Sequence, residues 1–392
     1  MMINTANWKT YEFGDLARNL TVAVKDPLSE GYKRYVGLEH IEPSNMHIKA
    51  WGNVAAGTTF TRVFKKDQVL FGKRRAYQRK AALAEFDGIC SGDILVFEAN
   101  TDSCLPKLLP FIVQSNKFFD YAIKTSAGSL SPRTKFKDLA KLKFKLPSLT
   151  EQKRLANLLG SVDGAAEAYR RLIYELKKGF HVILEGSIKK PILSSAPLGD
   201  FVKIGKGLTY TSDDYGDKAS GNMLINLKCF EKFGGFNKEG IKFYSGAYSD
   251  KHILRKNDLI IANTDITRNG DVVGFPVLVP DFDDEIVLFT MDVSRMEIKD
   301  TKCMLGAYLF YLLRTQWAHW YMYAHSPGTT VLHLDLSSVP KLSIPNISID
   351  EQECIVNKLK TIENNVQKYK DLVAIVEQCQ KQMINQIFGG AC

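Results

Sequence analysis

Residues 148–163 read SLTEQKRLANLLGSVD, and residues 348–363, 200 positions later, read SIDEQECIVNKLKTIE. In each stretch a serine opens the segment and a glutamate, Glu151 or Glu351, follows three positions later, which is the spacing of a capping box at the start of an α-helix. A proline shortly before each serine ends the preceding element. The chain is therefore expected to contain two similar helices with the same kind of start.

An apolar residue recurs after each helix start at alternating steps of three and four residues, which is the seam of a helix that packs against another helix. The seam positions of the first helix include Leu155, Leu159, Val162, Tyr169, Ile173 and Leu176. Adding 200 to each number gives those of the second helix, Ile355, Leu359, Ile362, Tyr369, Val373 and Val376. Each helix would run for about 37 residues, or roughly 55 Å.

The apolar seam of each helix must be buried, and the sequence offers two ways to bury it. Each helix can pack against its own repeat, which would give a pseudo-symmetric rod, or it can pack onto the globular part that precedes it. We favour the rod because the two seams keep the same phase over about four heptads. Gln380 interrupts the second seam, either as a polar residue that sets the register or as part of a frayed end.

The segments before the two helices are predicted to be globular and mixed α/β. Runs of β-branched and aromatic residues bounded by Gly, Asp and Pro, such as 93–97 and 285–289, indicate strands, whereas 305–323 indicates a helix. The expected fold is therefore two globular α/β domains, each followed by a long helix. The expected boundaries are 1–147 for the first globular domain, 148–190 for the first long helix, 191–347 for the second globular domain and 348–392 for the second long helix.

The net charge of +9 lies entirely in the first part of the chain. Residues 1–150 contain 23 Lys and Arg against 14 Asp and Glu, a difference of +9, and residues 151–392 contain 29 of each, a difference of zero. A basic domain suits a polyanion such as DNA, and the alternative is a basic surface that only keeps the protein soluble.

Other features of the composition narrow the class of protein. The seven cysteines form no CxxC pair, so neither a disulfide framework nor a zinc site is expected. The sequence contains no uncharged apolar run of about 18 residues, and its first residues lack a secretory signal. We therefore expect a cytoplasmic protein that does not contact a membrane.

Catalytic motifs are missing from the sequence, which contains neither a GxxxxGK[S/T] phosphate loop nor an HExxH metal set. Asp93 and Glu98 resemble a nuclease carboxylate pair but lack the lysine that would follow. His319 and His325 lie in an aromatic segment that favours helix packing over a metal site. The chain is interpreted as a binding protein without metal. A self-contained methyltransferase or nuclease and a protein-binding scaffold are the alternatives.

Three kinds of segment are candidates for DNA binding. A basic segment with an aromatic residue can neutralise phosphates and hold guanine edges; it contains Lys73, Arg74, Arg75, Tyr77, Arg79 and Lys80. The matching segment of the second half is richer in side chains that can read base edges; it contains Thr264, Asp265, Thr267, Arg268 and Asn269. Two Ser-x-Gly-Ser/Thr turns suit a phosphate; their residues are Ser126, Gly128, Ser129 and Arg133, then Ser326, Gly328, Thr329 and Thr330. The alternative is a solvated charged strand or turn for the basic segment, a surface loop for the matching segment, and turns without a ligand for the two Ser-x-Gly-Ser/Thr segments.

The stretch LPSLTEQKRLA (146–156), together with the later Asp163, closely resembles the signature of the specificity subunits of type I restriction-modification enzymes, and 344–363 is a looser second copy. The resemblance covers the whole chain because the two-repeat layout is itself that of the family. The second copy departs from the first by two extra residues before Glu351 and by Cys354.

This resemblance implies that each globular part is a target recognition domain for one half of an interrupted, asymmetric DNA site. It implies that the two helices pack as an antiparallel coiled coil with pseudo-twofold symmetry, set the gap between the half-sites and dock two methyltransferase subunits. It also implies that this chain has no catalytic activity and no cofactor of its own. S-adenosylmethionine, ATP and Mg²⁺ are expected in the partner methyltransferase and restriction subunits. The departures in the second copy leave open whether both helices dock the methyltransferase identically.

Overall fold

The computed structural model describes residues 7–188, 194–219, 221–232, 234–267, 269–283 and 285–389. The chain divides into two compact units. Unit 1 comprises Met1–Leu172 and Tyr369–Cys392, and unit 2 comprises Ile173–Lys368. Each unit contains the beginning of one long helix and the end of the other, so the units cut across the four segments expected from the sequence.

Unit 1 combines short strands and helices. Its strands are β1 (Lys9–Glu12), β2 (Ala17–Leu20), β3 (Arg34–Val36), β4 (Gly52–Asn53), β5 (Arg62–Phe64), β6 (Val69–Gly72), β7 (Ala81–Leu83), β8 (Gly88–Cys90), β9 (Ile94–Ala99) and β10 (Lys143–Leu146). Its helices are α1 (Phe13–Leu16), α2 (Leu109–Gln114), α3 (Asn116–Lys124), α4 (Phe136–Leu139) and the start of α5 (Leu149–Ser187).

The strands of unit 1 form a sheet in the order β2-β9-β6-β7, a second sheet in the order β4-β3-β8-β5, and the antiparallel pair β1–β10. Strand β9 lies between two hydrophobic cores because successive side chains point to opposite faces. Leu95 and Phe97 pack in the core that contains α2, α3 and the start of α5, whereas Ile94 and Val96 pack against residues of the second sheet. This burial on both faces explains the uninterrupted apolar run.

Unit 2 repeats this mixture of elements. Its strands are β11 (Ser195–Pro197), β12 (Val202–Lys206), β13 (Tyr215–Gly216), β14 (Asn222–Ile225), β15 (Lys242–Tyr244), β16 (Ile253–Leu254), β17 (Leu259–Ala262), β18 (Thr264–Asp265), β19 (Pro276–Leu278), β20 (Val287–Phe289), β21 (Val293–Ile298), β22 (Leu332–His333) and β23 (Ser343–Pro345). Its helices are α6 (Gly306–Leu313), α7 (Gln316–Ala324) and the start of α8 (Ile349–Phe388).

The sheets of unit 2 follow the same plan as those of unit 1. The order β12-β21-β17-β19 repeats β2-β9-β6-β7, and the pair β11–β23 repeats the pair β1–β10. A five-stranded sheet, β13-β15-β14-β20-β16, and the short pair β18–β22 complete the unit. The prediction of two related α/β parts is confirmed.

Each long helix begins one residue after its predicted serine cap. At α8 the capping box is complete, since Ser348 Oγ accepts from the Glu351 N–H at 3.3 Å and the Glu351 carboxylate accepts from the Ser348 N–H at 3.0 Å. At α5 the Ser148 hydroxyl accepts from the Glu151 N–H at 3.4 Å, and the Glu151 carboxylate binds Arg154. The predicted caps therefore form at both helices, with the more complete one at α8.

The glutamine that follows each of these glutamates fixes the helix to its unit. Gln152 is 1% exposed; its Nε2 donates to Ser103 O at 2.8 Å and to Pro147 O at 3.1 Å, and its Oε1 accepts from Leu105 N at 3.1 Å. Gln352 makes the same three bonds, with Cys303 O (3.0 Å), Ile347 O (3.1 Å) and Leu305 N (2.9 Å). The repeated Glu-Gln dipeptide therefore has a structural role in both halves.

The two long helices contribute to both hydrophobic cores. In unit 1, Leu155 and Leu159 from the start of α5 are buried in the core of the globular part together with Ile384, Ile387 and Phe388 from the end of α8. Unit 2 has the reciprocal set, Leu184, Ile188, Val356 and Leu359. Each long helix therefore packs in both of the ways considered from the sequence, against its repeat and against a globular part.

The helices run antiparallel where they meet in unit 1. The Tyr169 ring stacks on the Tyr369 ring, with centroids 5.7 Å apart, and Gln380 Nε2 donates to Asp163 Oδ1 at 3.1 Å. A step towards the start of α5 is thus a step towards the end of α8, which confirms the antiparallel prediction and gives Gln380 a defined polar partner. The remaining predicted seam positions are partly buried: Val162, Ile173, Leu176, Ile355, Ile362, Val373 and Val376.

The end of each long helix also caps a short helix. In unit 1, Asn385 Oδ1 near the end of α8 accepts from the Asn116 N–H at the start of α3, at 2.8 Å. In unit 2, Glu185 Oε1 near the end of α5 accepts from the Gln316 N–H at the start of α7, at 2.7 Å. The paired residues of the two caps differ by 200 in number, Asn385 from Glu185 and Gln316 from Asn116. The contact between the end of a long helix and the start of a short helix is therefore repeated in both units.

His47 links the globular part of unit 1 to α5. Its Nε2 lies 2.8 Å from Asp163 Oδ2 and its Nδ1 lies 2.6 Å from Glu85 Oε1. The hydrogen bond to Asp163 is the largest cause that raises the pKa of His47, to about 9, so the imidazole is charged at neutral pH. Burial opposes this effect, and the bond to Glu85 adds to it.

Candidate nucleic-acid interface

The basic segment of unit 1 follows strand β6 and makes a compact turn. Arg75 and Arg79, both with φ of 53°, lie in the left-handed region on either side of one helical turn, Ala76–Gln78. Tyr77 at the tip of this turn is exposed. The turn therefore presents an aromatic ring among cationic side chains.

The Ser-x-Gly-Ser turn of unit 1 lies directly beside the basic segment. Arg75 N donates to Pro132 O at 2.7 Å, and Thr134 N donates to Lys73 O at 3.1 Å. Arg74 and Arg133 face each other in an antiparallel bridge. Two candidate segments that lie about 60 residues apart in sequence therefore form one surface.

Asp93 is the anion at the centre of this surface. Arg133 donates from Nε to Asp93 Oδ1 at 2.8 Å and from Nη2 to Asp93 Oδ2 at 3.3 Å, and Arg74 Nη1 lies 3.6 Å from the same carboxylate. The Arg133 hydrogen bond holds the pKa of the Asp93 carboxyl below its usual range. One carboxylate thus faces two guanidinium groups, and this part of the surface keeps a positive charge.

Two members of the basic segment have structural roles instead. Arg79 Nη2 donates to Asn116 Oδ1 at 2.9 Å, and its guanidinium lies 4.5 Å from the centre of the Phe119 ring. Burial lowers the pKa of Arg79. Lys80 Nζ donates to Leu38 O at 2.6 Å. Arg79 and Lys80 are therefore engaged by protein partners, whereas Tyr77 is exposed, and the assignment of the whole segment to DNA binding stays a prediction.

In the corresponding segment of unit 2, two of the predicted residues are buried. Asp265 is 0% exposed, and its carboxylate accepts from Thr267 N and Val272 N, each at 2.6 Å, and from Val273 N at 3.0 Å. An anion satisfied by three backbone donors holds a loop and is not free to read a base. Thr264 is also buried.

The rest of that segment is more open. Thr267 Oγ1 accepts from Asp271 N at 3.0 Å, and Asn269 is exposed. Ile266, which lies between strand β18 and Thr267, is 72% exposed. Arg268 lies outside the described residues. The accessible part of this candidate segment is therefore the loop that follows Asp265.

The two Ser-x-Gly-Ser/Thr turns have the same local structure. Ser126 Oγ donates to Ala122 O at 2.8 Å, and Ser326 Oγ donates to Met322 O at 2.7 Å, so both hydroxyls close the end of a helix. Gly128 has φ of 113° and Gly328 has φ of 139°, a conformation that favours glycine. The exposed hydroxyls of these turns belong to Ser129, Thr329 and Thr330.

Three residues that the sequence did not assign to DNA binding lie in the candidate surfaces, namely Asp93, His333 and Asp292. Asp93, considered above as a nuclease carboxylate, has arginine partners, and so does Glu98, which binds Arg18. His333 in β22 pairs with Thr264 and is exposed, and Asp292, the residue before β21, lies beside Thr264. A sequence signal exists only for the aspartates, each of which directly precedes a strand.

The described residues form neither a cluster of metal ligands nor a membrane-spanning helix. Within the described part of the chain, no group of three or more His, Cys, Asp or Glu side chains is placed to hold a metal ion. The His319 ring is tilted against the Phe275 ring, with centroids 4.3 Å apart, and burial lowers the pKa of His319. His325 Nδ1 lies 2.8 Å from Tyr321 O. Among the same described residues, no helix is both long enough and apolar enough to cross a membrane.

Comparison with known proteins shows which family and which proteins this chain resembles. Residues 5–178 match the family described as the type I restriction modification DNA specificity domain. The chain is 22% identical over 423 aligned residues to the type I restriction enzyme MjaVIII specificity subunit of Methanocaldococcus jannaschii, covering 98% of this chain and 92% of that protein.

Solved structures with a similar fold cover nearly the whole chain. A chain from a structure on the assembly and conformational transition of the type I R-M system is 18% identical, with a TM-score of 0.61 over 97% of each chain. The S subunit of a type I restriction-modification system from M. genitalium is 14% identical, with a TM-score of 0.55 over 100% of this chain and 99% of that one.

Proposed function

We propose that this chain is a specificity subunit of a type I restriction-modification system, the family that residues 5–178 match, and that its two units each read one half of an interrupted, asymmetric DNA site. The observation that carries this proposal is the surface formed in unit 1 by the basic segment and the Ser-x-Gly-Ser turn, where Arg74 and Arg133 lie side by side. The same pair of loops occurs in unit 2 with different side chains. Two readers on one scaffold, with unlike surfaces, suit a non-palindromic target.

The chemistry of the surface in unit 1 fits DNA. Arginine can donate two hydrogen bonds to the O6 and N7 atoms of guanine, and lysine and arginine neutralise phosphates. Tyr77 adds an exposed ring that can contact a base or sugar. The excess of positive charge in residues 1–150 favours the same partner.

The chain is a recognition subunit and not the catalyst of the reaction. Its curated relatives are named as specificity subunits, in agreement with the absence of catalytic motifs from the sequence. In the proposed complex, two methyltransferase subunits supply S-adenosylmethionine chemistry, and restriction subunits use ATP and Mg²⁺. The long helices dock the methyltransferase subunits and set the distance between the half-sites. The complex would act on DNA in the cytoplasm.

Reconstitution tests this proposal. The transfer of a methyl group from S-adenosylmethionine to DNA is measured with this chain alone, with the methyltransferase subunit alone and with both. We expect transfer to adenine only with both subunits, and we expect calorimetry to detect no binding of S-adenosylmethionine by this chain. Methylation by this chain alone would overturn the assignment.

A second measurement separates DNA binding from a protein-binding role. Binding to phosphates should weaken steeply as salt rises, by a slope of about −0.9 per phosphate contact in a plot of log K against log salt. A complex whose affinity for DNA does not depend on salt would contradict the proposed surface.

A further inference from the structure

The two candidate surfaces share one pattern of backbone hydrogen bonds, which we call the frame. In unit 1, Lys73 N donates to Asp93 O at 2.9 Å, and Thr134 N donates to Lys73 O at 3.1 Å. In unit 2, the equivalent bonds run from Asn263 N to Asp292 O at 2.8 Å and from Leu334 N to Asn263 O at 2.8 Å. The backbone frame is therefore repeated, although the side chains differ.

This frame defines which positions correspond. Because Lys73 matches Asn263, the next residues, Arg74 and Thr264, occupy the same place. The residues before Thr134 and Leu334, namely Arg133 and His333, also correspond. Arg133 faces Arg74, and His333 faces Thr264, each across an antiparallel bridge. The frame thus presents two facing positions in each unit.

The occupants of the facing positions differ in chemistry. Unit 1 carries two arginines around the Asp93 carboxylate, whereas unit 2 carries Thr264 and His333, with the Thr264 hydroxyl 3.5 Å from the Asp292 carboxylate. Arginine presents a planar fork of donors, and histidine and threonine do not. The two units therefore cannot make the same base contact from this frame.

The arginines of unit 1 remain available to a ligand although Asp93 binds them. The side chains of Arg133 and Arg74 are 46% and 39% exposed, against 22% for Asp93. Arg133 gives Nε and one N–H of Nη2 to Asp93, and its Nη1 lies 3.5 Å from Ser131 O, so further N–H donors are left among its five. A carboxylate that holds the inner edge of a guanidinium fixes the orientation of its outer edge.

From this geometry we propose that Arg74 and Arg133 are the specificity-determining pair of unit 1, that they select a guanine in its half-site, and that Asp93 is the residue that positions them. In unit 2 the exposed His333, beside the buried Thr264, holds the position that corresponds to Arg133 and selects a different base. This inference rests on the proposed function, since it names the residues by which one unit reads its half-site. It assigns Asp93 a role without contact to DNA.

The test uses the complete methyltransferase complex that contains this chain. Its methylation is mapped on a library of DNA sites in which each base of both half-sites is varied. Three variants are compared with the wild type: Arg133→Lys, which keeps the charge but removes the planar fork, Asp93→Asn, which keeps the shape but removes the anion, and His333→Arg as the matched change in unit 2. Thermal unfolding of each variant checks that it folds.

We expect Arg133→Lys to reduce discrimination at one guanine of the unit 1 half-site by about tenfold or more, with the other half-site and the salt dependence unchanged. Asp93→Asn should reduce discrimination at the same base. His333→Arg should alter one base of the other half-site only. If Asp93→Asn does not fold, the comparison of Arg133→Lys with His333→Arg still decides the assignment.

Three results would overturn the inference. The first is an unchanged preference at every base in Arg133→Lys. The second is a uniform loss of affinity with a smaller salt slope, which would make Arg133 a phosphate contact. The third is a change in the half-site read by the other unit. A wild-type complex that methylates no interrupted site would instead overturn the proposed function itself, so the two failures are distinguishable.

Discussion

Replacement of Gln152 by alanine should destabilise the protein by about 3 kcal/mol. The side chain is almost fully buried and makes three hydrogen bonds to backbone groups, the carbonyls of Ser103 and Pro147 and the N–H of Leu105. Each buried hydrogen bond contributes about 1 kcal/mol, and a buried backbone group without a partner costs a similar amount or more. Alanine cannot reach any of the three groups, so the start of α5 would lose its hydrogen bonds to the globular part and keep only apolar contacts such as those of Leu155 and Leu159.

The assay is urea-induced unfolding followed by hydrogen exchange, which reports the two units separately. Lys153→Ala is the control, because Lys153 is the exposed neighbour in the same helical turn and its loss should change the free energy of unfolding by less than about 0.5 kcal/mol. Gln352→Ala should produce the same loss as Gln152→Ala, but with exchange rising first in unit 2. A loss below about 1 kcal/mol for Gln152→Ala, or an equal loss for Lys153→Ala, would refute this account of the repeated glutamine.

Three other perturbations follow from described contacts. Leu159→Asp places a charge in the core of unit 1 and should unfold that unit, at a cost of about 4 kcal/mol or more, as circular dichroism would detect; a folded variant would be inconsistent with the core position of Leu159. Since the folded pKa of His47 is about 9, above the ordinary 6.5, its ion pairs should contribute fully below pH 6.5 and be lost as pH rises through about 9. After allowance for solvent exposure this amounts to about 2 kcal/mol, and His47→Gln should remove that pH dependence from unfolding curves; an unchanged curve would argue against the pairing. Arg74→Ala with Arg75→Ala should weaken DNA binding: loss of Arg75 should reduce the salt slope by about 0.9 for one phosphate contact, and loss of Arg74 should reduce discrimination at the guanine. Unchanged binding would show that these side chains are only surface.

The long helices illustrate what the sequence can reveal about this fold. Their starts, their seams and their pairing follow from local patterns, namely the capping spacing and a heptad repeat that recurs after 200 residues. The structure adds that Leu159 lies in a hydrophobic core to which both the other long helix and the globular part contribute. A heptad pattern shows which face of a helix is apolar, but it does not show which neighbours cover that face.

The candidate interface was harder to predict from the sequence. The basic segment and the Ser-x-Gly-Ser turn were identified separately, but their contact depends on pairings between strands that are distant in sequence. Arg79 and Asp265 could not be distinguished from their exposed neighbours, since burial of a charged side chain depends on tertiary partners such as Phe119 and the N–H of Val272. The role of Asp93 becomes visible only when two arginines lie beside it.

Sequencing of methylated bases in cells that make the complete complex tests the central claim most directly. The comparison is between cells with this chain and cells in which its gene is deleted. Recognition by two unlike units predicts methylated adenines at one interrupted, non-palindromic sequence, present only when the chain is made. Methylation that persists without the chain, or a continuous or palindromic motif, would contradict the account.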